Sequence, residues 1–140
     1  MLQRYENFIA LLAQISAAYG VDYDEYKVSD MDFSYWSMRA FKEAFTDQYE
    51  DKPTNSTVRT ACMWLIHASD RLWSNITHRR VFDKRGDNPG VILTQEMWES
   101  WEQGLLRVRD TCSTDTIEMV DRALSSMKDA NKAPLVNGSG

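Results

Sequence analysis

Apolar residues recur along most of the chain at the three- and four-residue spacings that place them on one face of a helix. No segment alternates between apolar and polar residues in the sustained way that is typical of a half-buried strand. The pattern therefore predicts an all-α fold, a compact bundle of about five antiparallel amphipathic helices, because the connections are mostly short. Residues 1–131 are predicted to form a single helical domain and residues 132–140 a flexible tail.

Capping residues and helix breakers give approximate bounds for these helices. Helix one ends before Gly20, and its apolar face is predicted to be core. Helix four starts at Thr94, whose hydroxyl can accept a first-turn amide, and Ser113 or Thr114 caps helix five. The apolar face of helix one comprises Phe8, Leu11, Leu12, Ile15 and Tyr19. The predicted spans are about residues 2–19, 30–49, 54–80, 94–112 and 114–131.

The segment VRTACMWLIHASDRLW, residues 58–73, carries a dense apolar pattern. Projected as a helix, it forms one broad apolar stripe, and between Ala61 and Ile66 the helix is apolar nearly all round. Such a helix is usually covered on more than one side, so we predict that helix three is central in the bundle. The stripe comprises Val58, Ala61, Cys62, Leu65, Ile66, Leu72, Trp73 and Ile76.

The opposite face of helix three carries His67 and Asp70, at an i,i+3 spacing that lets the two side chains meet. A carboxylate that fixes the tautomer of an imidazole and raises its basicity serves general acid/base catalysis, so this pair is the candidate catalytic site. The alternative is a surface histidine paired with an aspartate at the rim of the core. No nucleophile motif accompanies the pair, and the ligand spacing does not support a metal site.

Tryptophan is abundant, with five among 140 residues, which makes an aromatic-lined pocket conceivable. The candidate ligand-binding residues of such a pocket are Trp64, Trp98, Trp101 and Arg71. The alternative for the tryptophans is core packing. Leu106 is predicted to lie on the outer face of helix four, where a partner helix would explain it.

The run HRRVFDKR, residues 78–85, concentrates basic residues near the end of helix three. Guanidinium groups match phosphate oxygens, so the run is a candidate patch for an anion or an acidic partner. The alternative is that these cations complement the negative end of the helix dipole and stay solvated. The patch comprises Arg79, Arg80, Lys84 and Arg85.

Charge and composition narrow the classes of function. The formal net charge of −5 and the pI of about 5.0 work against broad attraction to nucleic acid or anionic membranes. Cys62 and Cys112 lack the spacing of a zinc site or a redox dithiol and are interpreted as small core residues. The sequence shows no signal peptide or membrane span, so we expect an intracellular, cytoplasmic protein. We also expect that it needs no cofactor.

Three segments within residues 54–131, RTACMWLIHASDRLW, TQEMWESWEQGL and IEMVDRALSSM, resemble a family of fungal all-helical proteins described as a domain of unknown function. The shared features are an apolar helix rich in tryptophan, a following helix with Trp98 and Trp101, and a last helix with a late Met127. The resemblance implies a helical fold and a fungal, intracellular origin. It implies no particular activity.

Besides the docking of a phosphate or an acidic partner by the basic patch, two hypotheses about function stay open at this point. The first is a small helical interaction or binding module without an assembled catalytic site, which forms a homodimer or binds another protein. The second is a cofactor-free enzyme or carrier that acts on a hydrophobic small molecule, such as a secondary metabolite. In the second case Trp64, Trp98 and Trp101 line the pocket, and His67 acts as acid/base with Asp70 orienting it.

Overall fold

The computed structural model describes residues 2–18, 33–45, 55–82, 87 and 90–132. Helices account for most of these residues, so the predicted all-α class is confirmed. The elements in chain order are α1 (Leu2–Ala18), a 3-10 turn (Ser34–Trp36), α2 (Ser37–Phe45), α3 (Asn55–Thr77), β1 (Val81–Phe82), β2 (Val91–Ile92), α4 (Gln95–Arg109) and α5 (Thr114–Asn131). The predicted ends of helix one at Tyr19 and of helix two near Asp30 and Tyr49 lie outside the described residues.

Helix α3 is the central helix, as its apolar pattern predicts, because the other four α-helices all pack against it. The contacts between α1 and α3 join residues whose numbers increase together in both helices, from Glu6 with Arg59 to Gln14 with His67. The helices α1 and α3 therefore run in the same direction. The start of α5 likewise meets the start of α3, where Asn55 Oδ1 accepts a hydrogen bond from the Ser113 amide at 2.9 Å. One layer of the fold thus has α3 between its principal neighbours α1 and α5.

Helices α2 and α4 form a second layer that runs in the opposite direction. Ser34, just before α2, accepts a hydrogen bond from Asn75 near the end of α3. Trp98 near the start of α4 lies 5.0 Å from Trp73, also in the second half of α3. Consecutive helices therefore alternate in direction along the chain, which is the arrangement that short connections favour.

Gly104 determines how closely α2 and α4 approach each other. A Cβ atom at this position would lie 2.7–2.8 Å from side-chain carbons of Phe45, well inside van der Waals contact. Phe45 is buried, so a side chain at position 104 would force the two helices apart. Arg107 adds a polar contact to the same junction, because its Nη2 donates to the carbonyl of Phe45 at 2.7 Å.

The starts of the last two helices follow the capping prediction. Thr94 Oγ1 accepts the amide of Met97 at 3.2 Å, which satisfies one of the free N–H groups at the start of α4. Ser113 occupies the N-cap position of α5, and its hydroxyl donates to Thr116 Oγ1. The Thr94 cap was readable from sequence because the hydrogen-bonding group is a near neighbour in the chain, whereas the Ser113 hydroxyl accepts no amide at the start of α5.

The end of α3 and the segment after it differ from the prediction. The helix ends at Thr77 because Arg79 takes a left-handed φ of 52°, and the amides of Arg79 and Arg80 bond back to carbonyls in the last turn. A short antiparallel hairpin follows, in which Val81 pairs with Ile92 and Phe82 with Val91. The sequence predicted no strand, since two-residue strands are too short to show alternation.

The predicted buried face of helix one is wrong for two of its residues. Phe8 and Leu11 are each 51% exposed, whereas Leu12 is buried. The helix instead turns a face with small and polar members toward α3, where Arg59 satisfies Glu6, and Ser16 bonds to the Leu12 carbonyl and the Phe33 amide. The buried residues of α1 are Glu6, Ile9, Leu12, Ala13 and Ser16.

An ion pair across α1 and α3 explains this rotation. Arg59 donates to both carboxylate oxygens of Glu6, from Nε at 2.6 Å and from Nη2 at 3.1 Å. Glu6 is buried and Arg59 half-buried, and the small residues Ala13 and Ser16 are buried on the same face of α1. A sequence pattern that treats glutamate as solvent-facing cannot anticipate a partner 53 residues away.

We expect Glu6→Gln to destabilise the fold by about 2–3 kcal/mol, because it leaves a poorly solvated guanidinium without its counter-charge. Urea unfolding followed by circular dichroism measures this change. Asp121→Asn is the matched control, since it removes one partner of the exposed bidentate pair with Arg109. That control should leave the free energy of unfolding nearly unchanged. Equal losses in the two variants would contradict the importance of the Glu6–Arg59 pair.

Candidate functional site

Helix α1 covers part of the polar face of α3, so this face is only partly exposed to water. His67 and Arg71 are both half-buried along this line. Gln14 Nε2 of α1 lies 3.4 Å from His67 Nδ1, and Arg71 Nε donates to the carbonyl of Ser16 at 3.0 Å. We call these four residues the α1–α3 polar seam. The seam fixes the C-terminal half of α1 against α3.

His67 lies in the seam beside a break in the helix. Ala68 has φ −133° and ψ 18°, so α3 is kinked there. The hydroxyl of Ser69 donates to the carbonyl of Leu65, a side-chain bond to the preceding turn of the kind that bends helices. The kink therefore has a local cause, and it places His67 at the junction of the two helical segments.

The environment of His67 favours its neutral form. Burial lowers the pKa of the imidazole, and the positive charge of Arg122 on α5 lowers it further. A neutral ring can accept a hydrogen bond at Nδ1 from the Gln14 amide, which agrees with the contact between them. Within the described residues no hydrogen bond or ion pair joins His67 to Asp70, and Asp70 is exposed. The structure therefore places these two candidate residues on one helix without bringing their side chains together.

The candidate ligand-binding tryptophans are all buried in the core. Trp98 lies 6.1 Å from Trp101 and 5.0 Å from Trp73, and Trp101 lies 4.3 Å from Phe41, all as ring-centroid distances. These four rings form an aromatic row that joins α2, α3 and α4. Trp64 is also buried, on α3. Trp73 was predicted as core, and its place beside Trp98 was not anticipated.

Two members of the aromatic row keep an unused hydrogen-bond donor. The indole Nε1 atoms of Trp73 and Trp98 are buried and have no hydrogen-bond partner among the described residues. Buried indole N–H groups usually find an acceptor. These two donors, on rings whose centroids lie 5.0 Å apart, are therefore the unsatisfied polar groups that the aromatic row offers.

The basic patch divides in the structure, because its two described members have different surroundings. Arg79 is exposed, whereas Arg80 is buried, with its guanidinium 4.7 Å above the ring of Phe82. Nη1 of Arg80 donates to Asn75 Oδ1 at 3.2 Å. Both sequence interpretations assumed a solvated arginine, and that assumption is wrong for Arg80. Lys84 and Arg85 lie outside the described residues.

The cysteines take the role of small core residues that the sequence predicted. Cys62 is buried and Cys112 half-buried, and both are free thiols. Burial raises the pKa of Cys62 to about 12, so its reactive thiolate is scarce at neutral pH. Within the described ranges no three His, Cys, Asp or Glu side chains come together as metal ligands. Nor does any described helix combine the length and apolar character needed to cross a bilayer.

Helix α1 carries an exposed apolar stripe, and two of its three residues, Phe8 and Leu11, were assigned to the core by sequence analysis. Tyr5, Phe8 and Leu11 are 52%, 51% and 51% exposed and succeed one another at three-residue spacing. Side chains at this spacing lie on one side of a helix. We call these three residues the α1 stripe. The sequence signal for it was present as apolar periodicity, but the side of the helix that faces the core was misassigned.

Comparison with known families places the chain in a wider group. The family described as a protein of unknown function, DUF3632, matches residues 2–105. The chain belongs to this family. The DUF3632 match includes α1 and α2 and ends within α4, whereas the resemblance read from sequence covered residues 54–131. No curated protein and no solved structure matches the chain significantly. Membership in DUF3632 thus identifies relatives without assigning an activity.

We expect the pKa of His67 to lie below the ordinary histidine value of about 6.5. As the pH falls below about 6.5, the unfolded chain takes up a proton before the folded protein does. The stabilising contribution of neutral His67 is therefore complete above this pH and is lost below it. NMR titration of the imidazole measures the pKa, and urea unfolding at several pH values measures the stability.

Two variants separate the causes of this shift. Arg122→Gln should raise the pKa of His67 part of the way toward its ordinary value, because burial remains. His67→Gln should flatten the loss of stability below about pH 6.5. A pKa of His67 above the ordinary value, which then falls in Asp70→Asn, would contradict this account and would indicate a working carboxylate pair.

Proposed function

We propose that this protein is a non-enzymatic helical interaction module that docks a partner through the α1 stripe. One observation carries the proposal. The apolar periodicity of α1 is strong enough to predict a buried face, yet Phe8 and Leu11 on that face are half exposed. Contiguous exposed apolar side chains are a common mark of protein interaction sites. Covering them would contribute roughly 25 cal/mol for each Å² of apolar surface removed from water.

The attachment of α1 also supports a docking role. The Glu6–Arg59 pair and the α1–α3 polar seam hold the inner side of α1 at several points along its length. A partner would therefore meet a surface that is already ordered, and less conformational entropy is lost on binding. Of the other large exposed aliphatic residues, Ile92 at 44% exposure lies on the short strand β2, and Leu106 at 48% stands on α4 among polar neighbours. An isolated leucine of this kind needs no partner to explain it.

Site-specific photo-crosslinking tests the proposal. A benzoylphenylalanine at position 8, in protein expressed in its source cells, should give an adduct of discrete mass on irradiation. The same photoreactive residue at position 106 is the matched control and should give none, because Leu106 is comparably exposed but lies outside the α1 stripe. Leu11→Glu should abolish the adduct at position 8. The absence of any adduct at position 8, or equal adducts at both positions, would refute the docking role.

The paired indole donors favour a second candidate function, a carrier or cofactor-free enzyme for a hydrophobic small molecule. The unsatisfied Nε1 groups of Trp73 and Trp98 support it, since a ligand acceptor atom would satisfy them. In this function His67 serves as the acid/base group, with Asp70 orienting it when the substrate is bound. The half-buried position of His67 supports such a role. Trp64, Trp101 and Arg71 are the further ligand contacts that this candidate requires.

Binding of anilinonaphthalene sulfonate tests the second candidate, because the dye combines apolar rings with acceptor oxygens. We expect saturable energy transfer from tryptophan and a higher melting temperature in its presence. Trp98→Phe should weaken binding by about threefold to tenfold, the value of one hydrogen bond. Leu11→Glu is the control and should leave this binding unchanged. Dye binding that is lost in Leu11→Glu and kept in Trp98→Phe would place the dye on the α1 stripe and overturn the candidate.

We also propose a cytoplasmic protein of fungal origin. Two free cysteines support a reducing compartment, since disulfides form mainly in oxidising ones. The acidic net charge of −5 supports a partner other than nucleic acid or an anionic membrane surface. The resemblance of the tryptophan-rich helices to fungal proteins supports the origin.

A further inference from the structure

We infer that the partner on the α1 stripe is a second copy of this chain, packed with its α1 antiparallel to the first about a two-fold axis. This inference rests on the proposed docking function and names its occupant. It follows from three properties of α1, which are its position at the edge of a layer, its lack of exposed carboxylates, and the self-complementary order of its apolar residues.

Among the described helices, α1 lies at the edge of its layer. Helix α3 is the main neighbour of α1, and α5 is also packed on α3. The α1 stripe lies on the side of α1 that α3 does not cover. A second α1 on this side would continue the layer across the axis, with the same kind of helix-on-helix packing that the layer already uses.

The distribution of charge favours α1 as the surface through which this acidic protein associates with a second copy. With a net charge of −5, two copies repel each other in most orientations. Among the five described α-helices, α1 alone has no exposed carboxylate, because its one acidic residue, Glu6, is buried against Arg59. The others expose carboxylates such as Glu43, Asp70, Glu99 and Glu118. Contact through α1 therefore avoids opposing like charges.

The order of residues along α1 suits an antiparallel pair. With the two-fold axis midway between Phe8 and Leu11, each Phe8 faces the Leu11 of the second copy, and the contact occurs twice. Tyr5 then lies opposite Gln14 of the second copy, whose side-chain oxygen can accept from the phenol while its Nε2 keeps the contact with His67. Arg4, the one exposed charge of α1, falls beside the last turn of the opposing helix. That turn carries the negative end of the helix dipole, so the placement is favourable.

Sedimentation equilibrium of the full chain tests the inference. The wild type should show twice the chain mass of 16.2 kDa at micromolar concentrations. Leu11→Glu and Phe8→Lys should each sediment as monomers with unchanged circular dichroism, because both positions are exposed in the single chain. Leu106→Glu is the matched control and should remain a dimer. A wild type that stays monomeric, or dissociation by Leu106→Glu with retention in Leu11→Glu, would overturn the inference.

Mixing the two monomeric variants tests the geometry of the pair. In a mixed dimer one axis-related contact joins Lys to Glu, and the other keeps the original phenylalanine–leucine contact. Equal amounts of Phe8→Lys and Leu11→Glu should therefore re-form dimers that neither variant forms alone. Failure of the mixture to associate, when the wild type is a dimer, would overturn the antiparallel arrangement.

The photo-crosslink at position 8 separates this inference from the docking function on which it rests. An adduct at twice 16.2 kDa supports a second copy as the partner. An adduct of another mass, with a wild type that sediments as a monomer, keeps the docking function and overturns self-association. No adduct at position 8 overturns both.

Discussion

The need to cover α3 determines the rest of the fold. Its middle, from Ala61 to Ile66, is apolar nearly all round, so a single neighbouring helix would leave much of it in water. The chain meets this need with α1 and α5 alongside α3 and with α2 and α4 in a second layer. The edges of the molecule are therefore formed by helices that have fewer neighbours than α3 has.

Much of this arrangement could be predicted from sequence, where the determining interaction is local. The all-α class, the central position of α3 and the Thr94 cap all follow from spacing or from a group three residues away. The side of α1 that is buried could not be predicted, because it depends on an ion pair between Glu6 and Arg59, which are distant in sequence. The burial of Arg80 escaped for a different reason, since Phe82 and Asn75 are near in sequence but contact it through the left-handed turn at Arg79, which the helical pattern did not predict.

The candidate sites show the same division between local and distant information. Sequence spacing brought His67 and Asp70 within possible reach, yet the tertiary contact of His67 is with Gln14 from another helix. The tryptophans were recognisable as core or pocket residues, but the pairing of the Trp73 and Trp98 donors requires α3 and α4 to cross. Polar groups within an apolar core are where geometry, rather than composition, decides what chemistry is available.

The contact of Phe45 with Gly104 has a consequence for how DUF3632 sequences can diverge. The two positions share one fixed volume between α2 and α4, and both lie within the part of the chain that the family match covers. A larger residue at 104 is compatible with the same helix spacing only when the residue at 45 becomes smaller. Residue size at these two positions should therefore be inversely correlated across relatives that retain this layer, even though the positions are far apart in sequence.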